Sequence, residues 1–117
     1  MILHITIHTA KAKETVDFYQ WLLNLPIAQK LETPNGDIVF LGCNKTKLEI
    51  ISDMSAETIN ATGLSIGFAV DNLEQKIKML ESRNIACSAV ISPSPSIKFV
   101  FFTDLNGCRI QLCEQIK

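Results

Sequence analysis

The sequence predicts an α+β fold in which one β-α-β-β-β unit is written twice. Three observations carry that prediction. Short stretches in which apolar and polar residues alternate recur along the chain, as half-buried strands require. One stretch with apolar residues at helical spacing occurs in each half. The halves also register: His4 falls on Ser65 at an offset of 61, and Glu49 falls on Gln111 at an offset of 62. A drift of one residue is what a single small loop insertion gives. Repeats of this length within one small domain complete each other's core or share a cleft.

The first half opens with the strand HITIHT (4–9). A helix follows, with Val16, Tyr19, Leu22 and Leu23 on one stripe, and ends before Pro26, which cannot continue it. Asn35-Gly36 is a hairpin signal, because both residues tolerate positive φ. The strand DIVFLG (37–42) then leads through the polar turn CNKT into the strand KLEIIS (47–52). The second half repeats the order. SIGFAV (65–70) is a strand, and Asp71 or Asn72 caps a helix carrying Leu73, Ile77 and Leu80. IACSAVI (85–91) is expected as a short strand and SPSPS (92–96) as a loop whose prolines disfavour regular pairing. IKFVFFT (97–103), the turn DLNG and CRIQLCE (108–114) close the unit. The expected organisation is a single domain spanning 1–117. Its first module is 1–52, its linker 53–63 and its second module 64–117. Leu3, Ile5, Ile7, Leu48, Ile50, Leu64, Ile66, Phe68, Ile110 and Leu112 are expected to face the helices.

Composition narrows the function classes. A chain of 117 residues has room for one domain. With 11 basic and 12 acidic residues there is no electrostatic footprint for nucleic acid or an anionic membrane. The apolar runs fall far short of the roughly 20 residues that span a bilayer. The start MILHITIHTAKAK lacks the charged segment and apolar stretch of a signal peptide, so a cytoplasmic location is expected. Four cysteines, Cys43, Cys87, Cys108 and Cys113, form no CxxC pair and are expected as free thiols. Cys108 and Cys113 are five apart in one strand and point to opposite faces.

One strand is unusual. In GLSIGFAVDN (63–72) the apolar face is Leu64, Ile66, Phe68 and Val70, while the other face is Ser65, Gly67 and Ala69. A strand face this bare leaves room for another backbone or for something that is not protein.

At these residues the chain resembles the vicinal oxygen chelate superfamily, which includes glyoxalase I, bleomycin-resistance proteins and extradiol dioxygenases. The matching segments are LHITIHT, ETVDFYQWLLNLPI and KLEII in the first half, and SIGFAVDNLEQKIKML and FFTDLNGCRIQLCE in the second. The most specific is the Asp-x-x-Gly turn feeding a strand of the form x-Ile-Glu/Gln-Leu. The resemblance covers nearly the whole chain and implies that each module curls into a half-open sheet, the two forming a cup. It implies metal-ligand positions at His4, Glu49, Ser65 and Gln111, all on the cup face. On that view the bare strand lines a ligand cavity.

Residue chemistry then weighs on the implied site. His4 and Glu49 suit Zn, Fe, Ni or Mn, and they equally suit an imidazole–carboxylate hydrogen bond within a polar cavity. Ser65 is a poor ligand for a transition metal. Gln111 coordinates weakly and has no usable proton-transfer pKa, so glyoxalase I chemistry is not expected. His8 shares the face of His4 but lies about 13 Å along the strand, too far to join the same metal. Arg109 and Cys113 share parity with Gln111, and an Arg there can hold a carboxylate or phosphate, or stand as a plain surface cation. At least one of Phe99, Phe101 and Phe102 is expected to enter the cavity, while Tyr19 and Trp21 serve the core or a subunit contact.

The expectation is therefore a small-molecule-binding protein of the bleomycin-resistance type, with no catalytic residues assigned. Its ligand-binding residues would be His4, Thr6, Glu49, Ser65, Gly67, Arg109 and Gln111, with no resident cofactor. The alternative is a divalent-metal-dependent lyase, isomerase or dioxygenase using His4, Glu49 and Gln111. A vestigial scaffold is the third reading. Exposed sheet edges, and the habit of family members of this size, imply a homodimer.

Overall fold

Each half of the chain builds its own four-stranded sheet. In the computed structural model, which describes residues 1–116, the chain divides into two compact units, residues 1–58 and the residues from 59 onward. The first unit runs β1 (His4–Thr9), α1 (Ala12–Leu23), β2 (Ile27–Thr33), β3 (Gly36–Leu41) and β4 (Lys47–Ser52). Its strand order is β1-β4-β3-β2. β1 and β4 are parallel, and the other two pairings are antiparallel. Alternation along the strands sorts the faces. Ile7, Val39, Leu41, Leu48 and Ile50 are buried on the face that α1 covers with Val16, Tyr19 and Leu22. Each such side chain contributes about 1.5–3 kcal/mol by leaving water.

Local chemistry fixes where α1 starts and stops. The Lys11 N–H donates to Thr9 Oγ1 at 2.8 Å, and the Thr15 hydroxyl donates to the Lys11 carbonyl at 2.7 Å. Asn24 ends the helix in the left-handed region at φ 55, its N–H bonded to the Gln20 carbonyl, a conformation that asparagine tolerates better than most residues. Pro26 then excludes a further turn.

The second unit repeats the plan as β5 (Ile66–Ala69), α2 (Leu73–Ser82), β6 (Ile91–Ser94), β7 (Ile97–Thr103) and β8 (Arg109–Gln115). Its order is β5-β8-β7-β6, again with the outer pair β5–β8 parallel. Val100, Phe102, Ile110 and Leu112 are buried together with Leu73 and Leu80 of α2. This helix is capped twice. Asn72 Oδ1 accepts the Gln75 N–H at 3.0 Å, and Glu114 Oε1, from β8, accepts the Leu73 N–H at 2.8 Å. A carboxylate at a helix N-terminus satisfies an otherwise unpaired donor and favours the helix dipole.

The α+β class and the doubled β-α-β-β-β order are as the sequence implies, and both sheets are mixed and open. Four local expectations change. The hairpin between β2 and β3 turns at Pro34-Asn35, with Gly36 (φ +116) as the first residue of β3. IACSAVI is not a strand up to residue 90; instead β6 takes in Ile91–Ser94, including part of SPSPS. Proline is tolerated there because β6 is the edge strand of its sheet and its N–H groups need not all pair. β5 begins at Ile66, so Ser65 stands just before the strand. Leu3 and Leu64 likewise precede their strands and are exposed, rather than packed on the helices.

Candidate functional site

Each sheet has one face under its helix and one face left open, and the open faces hold the polar groups that packing does not explain. In the first unit the pairing register sets Thr6 beside Glu49, and Glu49 beside Phe40. The Thr6 hydroxyl donates to Glu49 Oε1 at 2.6 Å, a short bond of the kind made to a charged acceptor. His4 Nδ1 lies 3.9 Å from the same oxygen, and its ring is tilted against Phe40 with centroids 4.8 Å apart. The Glu49 side chain keeps only 14% of its exposure, against 32% for His4. One oxygen of a largely buried carboxylate is thus bonded by a hydroxyl and approached by an imidazole that is tilted against an aromatic ring.

Farther along the same face, His8 pairs with Ile51, and Ile51 with Ile38. A cleft of about 690 Å³ is lined there by Ile38, Ile51, Thr33, Asp53 and Met54. The Ser55 hydroxyl and N–H both donate to Asp53, holding its carboxyl below the usual range, with the His8 imidazole adding to the effect. The separation of His8 from His4 expected along the strand is what the register gives.

In the second unit the corresponding row is Gly67, Gln111 and Phe101. A Cβ built on Gly67 would stand 3.0 Å from Gln111 Oε1. The bareness of this strand therefore leaves space first for the neighbouring glutamine, whose amide lies across it. Arg109 and Cys113 share the open face of β8 with Gln111, and Phe99 and Phe101 share that of β7. The two phenylalanine rings meet edge to face, 5.6 Å between centroids, and the Arg109 guanidinium sits 4.3 Å above the Phe101 ring. Phe102 points to the buried face instead.

The donor chemistry tests the metal reading. Two donors bound to one zinc at about 2.1 Å would stand roughly 3.4 Å apart, so a small rotation brings His4 and Glu49 into range. Among the described residues no group of three His, Cys, Asp or Glu side chains gathers. The first unit thus fits two ligands of a divalent cation by type. Bound there, the ion would act as a Lewis acid held by His4 and Glu49.

The register sets Thr6 beside Glu49, with His4 on the same face of β1, and sets Gly67 beside Gln111, with Arg109 on the same face of β8. Phe40 is not among the residues expected from the sequence, although it stands one repeat before Phe101, on the face of β3 that Ile38 shares. The four cysteines are free, with Cys43 exposed and Cys108 buried.

The comparisons with known proteins agree with this architecture. A stretch of 51 residues is 33% identical to the uncharacterized protein YaeR of Escherichia coli strain K12, a match that covers 43% of this chain and 40% of that protein. The glyoxalase family protein of Enterococcus faecalis is similar in structure, with a TM-score of 0.73 and 25% identity over 97% of both chains. TnmS3, an antibiotic binding protein of Streptomyces sp. CB03234, gives a TM-score of 0.75 at 15% identity over 98% of this chain and 95% of its own. The family model of the Glyoxalase/Bleomycin resistance protein/Dioxygenase superfamily matches residues 1–112. With the doubled β-α-β-β-β order and both open sheets in place, the chain belongs to that superfamily.

Proposed function

We propose that this protein binds a small organic molecule against the open sheet faces, in the manner of the antibiotic-binding members of its superfamily, without a resident metal. The observation that carries the reading is the Thr6–Glu49–His4–Phe40 cluster. It combines a held carboxylate, an imidazole and an aromatic ring on a face that its own helix leaves uncovered. Ligand sites are built this way, from apolar and aromatic walls with a few fixed polar groups. Gln111 stands where Glu49 stands in the first unit, and an amide neither carries charge to a cation nor accepts a proton in catalysis. His4, Thr6, Glu49, Ser65, Gly67, Arg109 and Gln111 are the proposed ligand contacts, and the protein is proposed to act as a cytoplasmic homodimer.

The experiment is a thermal-shift panel of small organic molecules, run before and after chelator treatment, with elemental analysis of the purified protein. Binding to the folded state raises Tm by mass action. The reading expects stabilisation by at least one organic compound, unchanged by the chelator, and less than a tenth of an equivalent of metal. About one Zn, Ni, Mn or Fe per chain, lost in both His4→Ala and Glu49→Ala, would overturn the metal-free reading and promote the metal-dependent enzyme, for which the 3.9 Å imidazole–carboxylate approach is the favouring observation.

A further inference from the structure

Arg109 stands at the end of a rigid turn and over an aromatic ring. It follows directly on a rigid turn: Asp104, Asn106 and Cys108 are all buried, and Asp104 Oδ1 accepts the N–H groups of Asn106 (2.8 Å) and Cys108 (2.9 Å). Gly107, at φ +82, closes that turn with its N–H on the Asp104 carbonyl. The Arg109 Cζ then lies 4.3 Å from the Phe101 ring centroid, within the range where the ring attracts a cation. Among the described residues it has no carboxylate partner, whereas Lys13, Lys30, Lys78 and Lys98 each have one. A cation fixed by an aromatic ring, with no acid beside it, keeps its bidentate donors for something else.

The space around it fits a particular class of molecule. Where β6 stops short, residues 84–88 run beside the end of β7, tied by the Ser88 N–H on the Phe101 carbonyl and the Phe101 N–H on Ser88 Oγ. Between that segment and the sheet lies a cleft of about 510 Å³, lined by Ile85, Phe101 and Phe102 as apolar walls and by Asn84, Thr103 and Arg109 as polar ones. Arg109 and Thr103 also border a second cleft of about 420 Å³. Volumes of this size accept a small-molecule ring system.

We infer that Arg109 and Phe101 form an acid-recognition position, selecting ligands that carry a carboxylate on a planar aromatic ring. The guanidinium fork pairs with both carboxylate oxygens, while Ile85 and Phe101 take the ring. This inference rests on the small-molecule reading above and names the class of ligand.

The test uses 1-naphthoate and its neutral isostere 1-naphthamide as probes, titrated by calorimetry into the wild-type chain and into Arg109→Gln and Arg109→Lys. Melting temperatures and circular dichroism of each variant establish that it is folded. The expected result is that wild type prefers the acid by about tenfold, as a charge-assisted bidentate pair in a partly open site would give. Arg109→Gln should bring that preference below about twofold, with Arg109→Lys between the two. Equal binding of acid and amide by wild type overturns the proposal, as does a preference that survives Arg109→Gln. Failure of both probes to bind also overturns it. In each of those cases stabilisation by neutral compounds of the wider panel keeps the small-molecule reading standing, so the two can fail separately.

Discussion

The two units carry the same skeleton under different chemistry. On the covered faces several positions correspond: Val39 with Val100, Leu48 with Ile110 and Ile50 with Leu112 are matched in kind, and Tyr19 is replaced by Leu80, all of them buried. On the open faces they part. Thr6, Glu49 and Phe40 form one row, and Gly67, Gln111 and Phe101 form the other. A face packed under a helix favours apolar side chains of fitting size and admits a polar group only where it finds a partner, because a buried polar group without one costs free energy. An open face is under no such constraint, so the two copies differ where their helices do not cover them. One row offers a carboxylate and a hydroxyl; the other offers an amide, a bare strand and, one step along, a guanidinium.

That comparison can be broken first at the core. Ile50→Ala and Leu112→Ala remove equivalent, fully buried side chains, and each should cost about 2–5 kcal/mol in urea unfolding. A loss below about 1 kcal/mol in only one of them would show that the matching of covered faces is superficial. Next in size is the helix cap. Glu114 on β8 accepts the Leu73 N–H and pairs with Lys98 at 3.5 Å, whereas Ser52 stands at its place in the first unit. Glu114→Ala should cost about 1–2 kcal/mol, and Ser52→Ala about 0.5 kcal/mol or less. Equal losses would remove the contrast between the two helix starts.

The smallest effect concerns the turns that precede β4 and β8. Thr46 in the first is exposed, its hydroxyl donating to the Ile2 carbonyl at 2.6 Å, while Cys108 in the second is buried. Burial, with the Asp104 carboxylate nearby, pushes the Cys108 thiol from 9.0 up to about 11. The folded state therefore holds this proton more tightly than the unfolded chain. Its contribution to stability is complete below pH 9 and is lost as pH rises towards 11. At pH 8 the folded protein should release Cys43 to iodoacetamide readily and withhold Cys108. A Cys108 modified as fast as Cys43 would contradict the burial.

Much of this was legible beforehand, for physical reasons. Alternation with period two fixes which side chains of one strand share a face, so His4 goes with Thr6, and Arg109 with Gln111, from the sequence alone, while the resemblance to the family implies that Glu49 joins His4. Helical spacing located Tyr19, Leu22, Leu73 and Leu80 equally well. What composition hid were the places where partners outside the segment decide. The prolines of SPSPS imply a loop, but an edge position lets Ile91–Ser94 pair with β7 all the same. Ser65 looked like part of a strand until the partner β8 paired only from Ile66 onward. The bareness of Gly67 suggested an empty cavity, and only the neighbouring strand reveals Gln111 across it. The Arg109 stack on Phe101 joins two strands and could not be read from either one.

The parallel pairing of β1 with β4, and of β5 with β8, also bears on how the chain acquires its structure. Those pairs join the most distant segments of each unit, Thr6 meeting Glu49 across 43 residues, while every other strand pair is a local hairpin. Closing so long a loop costs chain entropy that no nearby contact repays in advance. The hairpins and helices can form early, and the parallel pair sets the pace of folding in each unit. Because that closure lies wholly within residues 1–58 in the first case, synthesis of the chain can finish one folding event before the second unit has left the ribosome.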